Sequence, residues 1–287
     1  MNWAKWIAWM LLIFVACGWV LKEWRWSQVV NQAGYRFNLA VIEPDVGVSF
    51  VSFDPTEKMI LVLPFPGNLA ISTRSGGEYA VSSLYKLGNY QGQGGAFVRQ
   101  KIQGFMRVPV PGYLLANGGL RMGLLRVIFS QVDTSLSKFD AVILFYRLSR
   151  YSNRAVAEDE LVRAGVVEDN TYHPNRLQEY VGTRLFDWGI GGEGVSVAIV
   201  NASGENGLGS DMADFLTNLG LDVVMVRSAD EQREVTEWQV ESSQSAQKLS
   251  YIFQNLFAFS DPKVEHVPDE YRSTVLVKVG KDAKELF

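Results

Sequence analysis

The chain has a single cysteine, Cys17, in 287 residues. That excludes an intramolecular disulfide and any thiolate metal cluster, so folding must rest on packing. Histidine is almost as scarce. His173 and His266 stand in loop-like sequence, the first before Pro174 and the second before Val267 and Pro268, and neither has Asp, Glu or Cys around it at metal-ligand spacing. No Gly-x-Ser-x-Gly elbow is present and no histidine is placed to activate a serine, so hydrolase chemistry is not indicated. No charge sign dominates either. The formal net charge is -4, spread without a basic block or an acidic tail, which removes the electrostatic footprint of a nucleic-acid partner. No cofactor and no resident metal are expected.

A long apolar run is present. Trp6 to Leu21 is about 16 residues and as a helix spans roughly 24 Å, against a hydrocarbon core of roughly 30 Å. Trp3, Trp6 and Trp9 on one side and Trp19, Trp24 and Trp26 on the other suit interfacial belts, while Lys5 and Lys22 can snorkel outward. The reading is a transmembrane anchor over 1–25, with the lipid bilayer as partner of residues 6–21. The N-terminus is placed inside and the bulk of the chain outside the cytoplasm. Cleavage after Ala16-Cys17-Gly18 and lipid modification of Cys17 remain as alternatives, although Trp19, Val20 and Leu21 follow at once and Phe14-Val15-Ala16-Cys17 is a poor lipobox.

Beyond the anchor, RFNLAVIE, VGVSFVSFDP and KMILVLPFP read as strands, with Asp54-Pro55-Thr56-Glu57 as a turn. Helical patterns follow at about 96–106, 120–131 and 137–150, the last entered through a Thr134-Ser135 cap. This makes 30–152 an α+β domain. The more charged 153–193 stretch reads as a helical linker, ending in Gly189, Gly191 and Gly192. Residues 194–287 read as a small βαβαβ domain: strand VSVAIV, a Gly-rich loop, an apolar-striped helix stopped by Gly220, a strand at 222–227, a helix at 245–259 and a strand at 273–279.

Three groups of residues are candidate sites. Gly204, Gly207 and Gly209, with Asn201, precede a helix as a phosphate-binding turn would. Neither the dinucleotide nor the P-loop spacing is present, though, and a structural turn accounts for them. Arg227 and Asp230 keep a nucleotide reading open. Arg147, Arg150, Arg154 and Arg163 form either a solvated cationic face or a surface for an anionic polymer, and Glu158, Asp159 and Glu160 read as a solvated helix start.

From about Val195 to Asp282 the chain resembles the LytR C-terminal domain family. The matching positions are Val195, Val197, Asn201, Ser203, Gly204, Gly207, Leu208 and Gly209, then Leu219-Gly220-Leu221-Asp222-Val223-Val224, closing on Gly280-Lys281-Asp282. The stretch from Arg36 to about Asn117 is similar to the beginning of the LytR-CpsA-Psr (LCP) catalytic domain, through RFNLAVIE, VSFVSFDPTEK, ILVLPFPGN, Gly94-Gly95 and Pro109 to Tyr113. The resemblance implies a mixed sheet and an envelope role. In the family, that role is transfer of a glycopolymer from a polyprenyl-pyrophosphate carrier to peptidoglycan, with Arg and Asp holding the pyrophosphate and Mg²⁺. Here Gly67 and Asn68 replace the Arg-Asp that follows the strand, and Glu43-Pro44-Asp45 shortens the Gly-x-Asp-x-Arg stretch. Asp45 alone could match an acidic position, and Arg147 and Arg150 loosely match a later Arg pair. The expectation is a non-catalytic envelope protein, with cell-wall polymer or other envelope proteins as partners and Asp45, Arg147 and Arg150 as candidate ligand contacts. The alternative is a divergent Mg²⁺-dependent transferase.

Overall fold

Three runs rich in branched and aromatic side chains fold as an antiparallel meander in the computed structural model: β1 (Phe37–Glu43), β2 (Gly47–Asp54) and β3 (Met59–Pro66). Described residues are 27–31, 34–44, 46–72, 77–156, 158–168, 171–185, 187–191, 194–242 and 261–287, with scattered positions elsewhere. Asp45, most of the apolar run 6–21 and most of the helix expected at 245–259 lie outside them. Among the described residues no helix is long and apolar enough to cross a membrane.

The turn after β2 forms where Asp54-Pro55-Thr56-Glu57 predicts it. The Asp54 carboxylate accepts from the Thr56 and Glu57 amides at 2.8 and 3.0 Å, the local side-chain bonding that makes Asp a turn residue. Short strands β4 (Ala70–Ser72) and β5 (Glu78–Ala80) lead into helices α2 (Val81–Tyr90) and α3 (Gly95–Met106), with an earlier single turn, α1, at Gln28–Asn31. Strand β6 (Gly112–Leu115) pairs parallel with β1. A helical hairpin follows, α4 (Gly119–Phe129) and α5 (Lys138–Arg150), and then edge strand β7 (Ser152–Ala155), parallel to β3. The five-stranded sheet therefore runs β6-β1-β2-β3-β7.

Both faces of β1 and β2 are buried, which explains their near-continuous apolar character. Leu39, Val41, Val51, Phe53 and Ile60 face α4 and α5, whereas Ala40, Ile42, Phe50, Leu61 and Leu63 face α2 and α3. Helix α5 starts one residue after the expected 137, but not from the expected Thr134-Ser135 cap. Ser137 is the cap, in a reciprocal capping box with Asp140. Thr134 and Ser135 are instead bonded to the backbone of Tyr113, at 2.6 and 2.9 Å.

The 153–193 stretch supplies β7, α6 (Glu158–Arg163), strands β8 (Val167–Glu168) and β9 (Thr171–Tyr172), α7 (Pro174–Arg184) and the turn α8 (Trp188–Gly191). Val156, Leu161, Tyr172, Leu177 and Val181 from this stretch are buried in the same core as Phe50 and Leu63.

In the C-terminal unit, β10 (Ser196–Asn201), α9 (Leu208–Asn218) and β11 (Asp222–Ser228) form the expected strand-helix-strand, and β14 (Val275–Val279) pairs parallel to β10. Two strands that no periodicity announced, β12 (Glu237–Val240) and β13 (Lys263–Val264), extend the sheet to β11-β10-β14-β12-β13. Met212, Phe215 and Leu216 of α9 pack on Val197, Ile199, Trp238 and Val277.

Candidate functional site

On the face of the first sheet covered by the α4–α5 hairpin, packing is incomplete at one end. A cavity of about 410 Å³ is lined by Val41 and Glu43 of β1, Ser49 and Val51 of β2, Val62 of β3, Leu120 and Arg121 of α4, Leu148 of α5 and Asn153 of β7. This falls within the usual range for small-molecule sites, roughly 300–1,000 Å³. Alternation explains its chemistry. Val41 and Glu43 are two apart on β1, and Val41 sits opposite Ser49 on β2, so one face carries apolar residues inward and polar ones toward the strand ends. The walls are apolar and the rim carries Glu43, Ser49, Arg121 and Asn153.

Among the described residues, Arg121 and Arg150 form no ion pair within 4 Å. Arg121 is exposed and lies over the Phe145 ring at 5.7 Å, and Arg150 lies over Tyr146 at 5.6 Å. Arg147, next to the lining residue Leu148, is 9% exposed, and its Nη1 has no hydrogen-bond partner among the described residues. Burial pushes its pKa down, opposed by the nearby Tyr151. A guanidinium stays charged under such a shift, so this is a desolvated cation with no carboxylate partner among the described residues. The other two arginines of that sequence cluster are paired: Arg154 with Glu160, and Arg163 with Asp159.

Of the predicted ligand contacts, Arg147 and Arg150 lie on α5, and neither is among the residues that line the cavity. Asp45 lies outside the described residues. Gly67 and Asn68 follow β3 at the sheet end where β1 turns into β2, since Gly47 is opposite Pro66. Gly67 is tucked under the turn: its amide donates to the Val46 carbonyl at 2.8 Å, and a Cβ there would stand 2.7 Å from that oxygen. Ser49, Arg121 and Asn153 were not picked out from sequence. The available signal was a serine and a glutamate interrupting the apolar alternation on adjacent strands.

The Gly-rich loop of the C-terminal unit is internally bonded. Asn201 donates to the Glu205 carbonyl at 2.8 Å, Ser203 donates to Asn201 at 2.6 Å and the Glu205 amide donates to Ser203 at 3.1 Å. Gly204 and Gly207 have positive φ, 75° and 81°, and a Cβ on Gly209 would meet that of Asn201 at 3.0 Å. Among the described residues no group of His, Cys, Asp and Glu could hold a metal ion.

Comparison with known proteins finds a family match in this second unit. Residues 194–282 match the family described as LytR cell envelope-related transcriptional attenuator. No curated protein matches the chain. Several solved structures are similar to it. One is the LytR-CPS2A-psr family protein YwtF (TagT) with bound octaprenyl pyrophosphate lipid, 13% identical over 52% of this chain and 88% of that one, with a TM-score of 0.37. Another is B. subtilis TagV, 9% identical over 51% and 94%, with a TM-score of 0.35. TagT bound to LIIa-WTA is 10% identical over 79% and 92%, with a TM-score of 0.26. At this distance no residue role passes from them to this chain.

Proposed function

We propose that the chain is a membrane-tethered protein of the cell envelope that holds a lipid-tailed anionic molecule, such as a surface-glycopolymer precursor, without transferring it. The observation that carries this reading is the cavity: apolar walls for a hydrocarbon tail, with Arg121 among its lining residues for an anionic head. The family match of residues 194–282 supports an envelope setting. Tethering rests on the run 6–21, whose described side chains are exposed rather than packed: Trp6, Trp9, Met10 and Phe14 all lie on the surface. A cluster of large apolar side chains left uncovered by the fold needs a non-aqueous partner.

Fixed charge opposite a leaving pyrophosphate is what transfer requires, and at the β3 end the chain offers Gly67 and Asn68. A divergent transferase is the second reading, favoured by the desolvated cation Arg147. The test is binding of a polyprenyl pyrophosphate to the full chain in detergent. Arg121→Glu and Leu148→Trp, one reversing the rim charge and the other filling the cavity, are each expected to weaken binding about tenfold or more, at 1.4 kcal/mol per tenfold. Unchanged binding in both variants overturns the site. Mg²⁺-dependent release of the sugar from a polyprenyl-pyrophosphate-linked substrate, lost in Asp45→Ala, promotes the transferase.

A further inference from the structure

The outer surface of the α4–α5 hairpin is unusual for a solvated face. Helical spacing lines up Met122, Leu125 and Phe129 along the outside of α4, and Val142 and Tyr146 along the outside of α5. Phe129 is 81% exposed, Tyr146 59%, and Met122 and Val142 48% each. The exposed charged residues of these two helices are all basic: Arg121 and Arg126 on α4, Lys138 and Arg150 on α5. None of these four has a carboxylate partner among the described residues, in contrast to the paired Arg154, Arg163 and Arg184. The only carboxylate on either helix is Asp140, which is buried and accepts from Ser27 at 2.5 Å, from the Val29 amide at 3.1 Å and from Ser137 at 2.9 Å.

Those last contacts add a second, independent observation. Ser27 and Val29 belong to the segment directly after the apolar N-terminal run, and they fasten it to the start of α5. Wherever residues 6–21 insert, the hairpin is held close by.

We propose that the exposed α4–α5 face lies on the surface of an anionic lipid bilayer, with the apolar stripe in the headgroup boundary and Arg126, Lys138 and Arg150 against lipid phosphates. This deepens the tethering proposed above and rests on it. An apolar stripe flanked by unpaired cations is the pattern of an interfacial helix. Each Lys or Arg near an anionic surface raises partitioning about fivefold. A hairpin lying flat for the roughly 16 Å of α4 brings the cavity rim at Leu120 and Arg121 to the membrane as well, so a lipid tail could enter the cavity without crossing water.

The experiment uses the full chain with Cys17→Ser, reconstituted in vesicles. An environment-sensitive fluorophore is attached at Phe129→Cys or, as control, at Tyr90→Cys, which is equally exposed but on α2, behind the opposite face of the sheet. In vesicles of phosphatidylcholine with one-third phosphatidylglycerol (about 30%, enough to saturate a few cationic contacts), a nitroxide lipid is expected to quench the label at 129 and not at 90. Arg126→Glu with Arg150→Glu is expected to reduce quenching to the level seen in pure phosphatidylcholine. A label at 129 that is no better quenched than the one at 90 overturns the proposal and leaves the face to a protein partner. Flotation tests the tether separately. If the chain does not float with phosphatidylcholine vesicles, the tether reading fails, and the same label then reads the face alone: quenching by added anionic vesicles supports the proposal and its absence overturns it.

Discussion

Asp133 carries more hydrogen bonds than any surface carboxylate needs: Tyr113 donates at 2.8 Å, Tyr85 at 3.1 Å and the Gly95 amide at 3.2 Å. Burial, and then the bond to this carboxylate, pushes the Tyr113 phenol up to about 12. A folded-state pKa above the unfolded value of 10 means the folded chain keeps its proton longer. The stabilisation is therefore complete below pH 10 and is lost as pH rises toward 12. Urea melts of the wild type are expected to show stability falling between pH 10 and 12, and Tyr113→Phe should flatten that fall while costing about 1 kcal/mol at pH 8 for the lost bond. An unchanged alkaline limb in the variant would show that Tyr113 does not titrate there. Gly67 makes the opposite kind of residue-level argument. Restoring the arginine that the LCP resemblance expects is predicted to fail sterically, because the Cβ meets the Val46 carbonyl at 2.7 Å. Gly67→Arg should lower the melting temperature and confer no Mg²⁺-dependent transfer, and a variant as stable as the parent would refute the close approach.

Helix α9 ends where the sequence places its stop. Gly220 has φ of 99°, and a Cβ there would stand 2.8 Å from the Asp187 carbonyl and 2.9 Å from the Gly191 amide. The left-handed conformation alone costs a side chain roughly 1–2 kcal/mol. The clash adds to it, so Gly220→Val is expected to cost about 3 kcal/mol or more in a thermal or urea melt. A variant within 0.5 kcal/mol of wild type (about the scatter of neutral surface changes) would mean the turn relaxes. This stop was legible because a glycine after an apolar stripe has one common cause, and β1 to β3 were legible because their apolar runs are bounded by turn residues. Strands β12 and β13 were not, being four and two residues long, with β12 paired to β14 and β13 paired in turn to β12. The cavity was equally hidden. Its lining comes from β1, β2, β3, α4, α5 and β7, and nothing local in Leu120 or Asn153 marks the place where two helices fail to close over a sheet. Arg147 was visible as one of a cluster of arginines. Its burial was not, because helix phase relative to the sheet decides which of Arg147 and Arg150 points inward.

At the scale of the molecule, polar contacts join the two units, beside the packing of Tyr35 on the C-terminal core. Arg107, in a left-handed conformation after α3, pairs with Asp211 at 2.7 Å and with Asp214, both on α9, while its carbonyl accepts from Asn218 at 2.9 Å. Gln103 reaches the Leu286 carbonyl at 3.2 Å. Partly exposed ion pairs of this kind contribute about 1 kcal/mol or less each, so the C-terminal unit is expected to fold without the first one. Where it begins is a sharper question. The family match starts at residue 194, yet Ile190, 3% exposed, packs in the C-terminal core with Leu219 and Leu221, and the Asp187–Gly191 turn sits against Gly220. Burying an isoleucine side chain stabilises by about 1.5–3 kcal/mol. A fragment 187–287 is therefore expected to melt cooperatively and to resist urea better than fragment 194–287, by about 2 kcal/mol. The Ile190→Ala change in the longer fragment should remove most of that margin. Equal stability of the two fragments would place the start of the folding unit at the family boundary, and a failure of both to melt cooperatively would show that the seam through Arg107 is needed for the unit to fold.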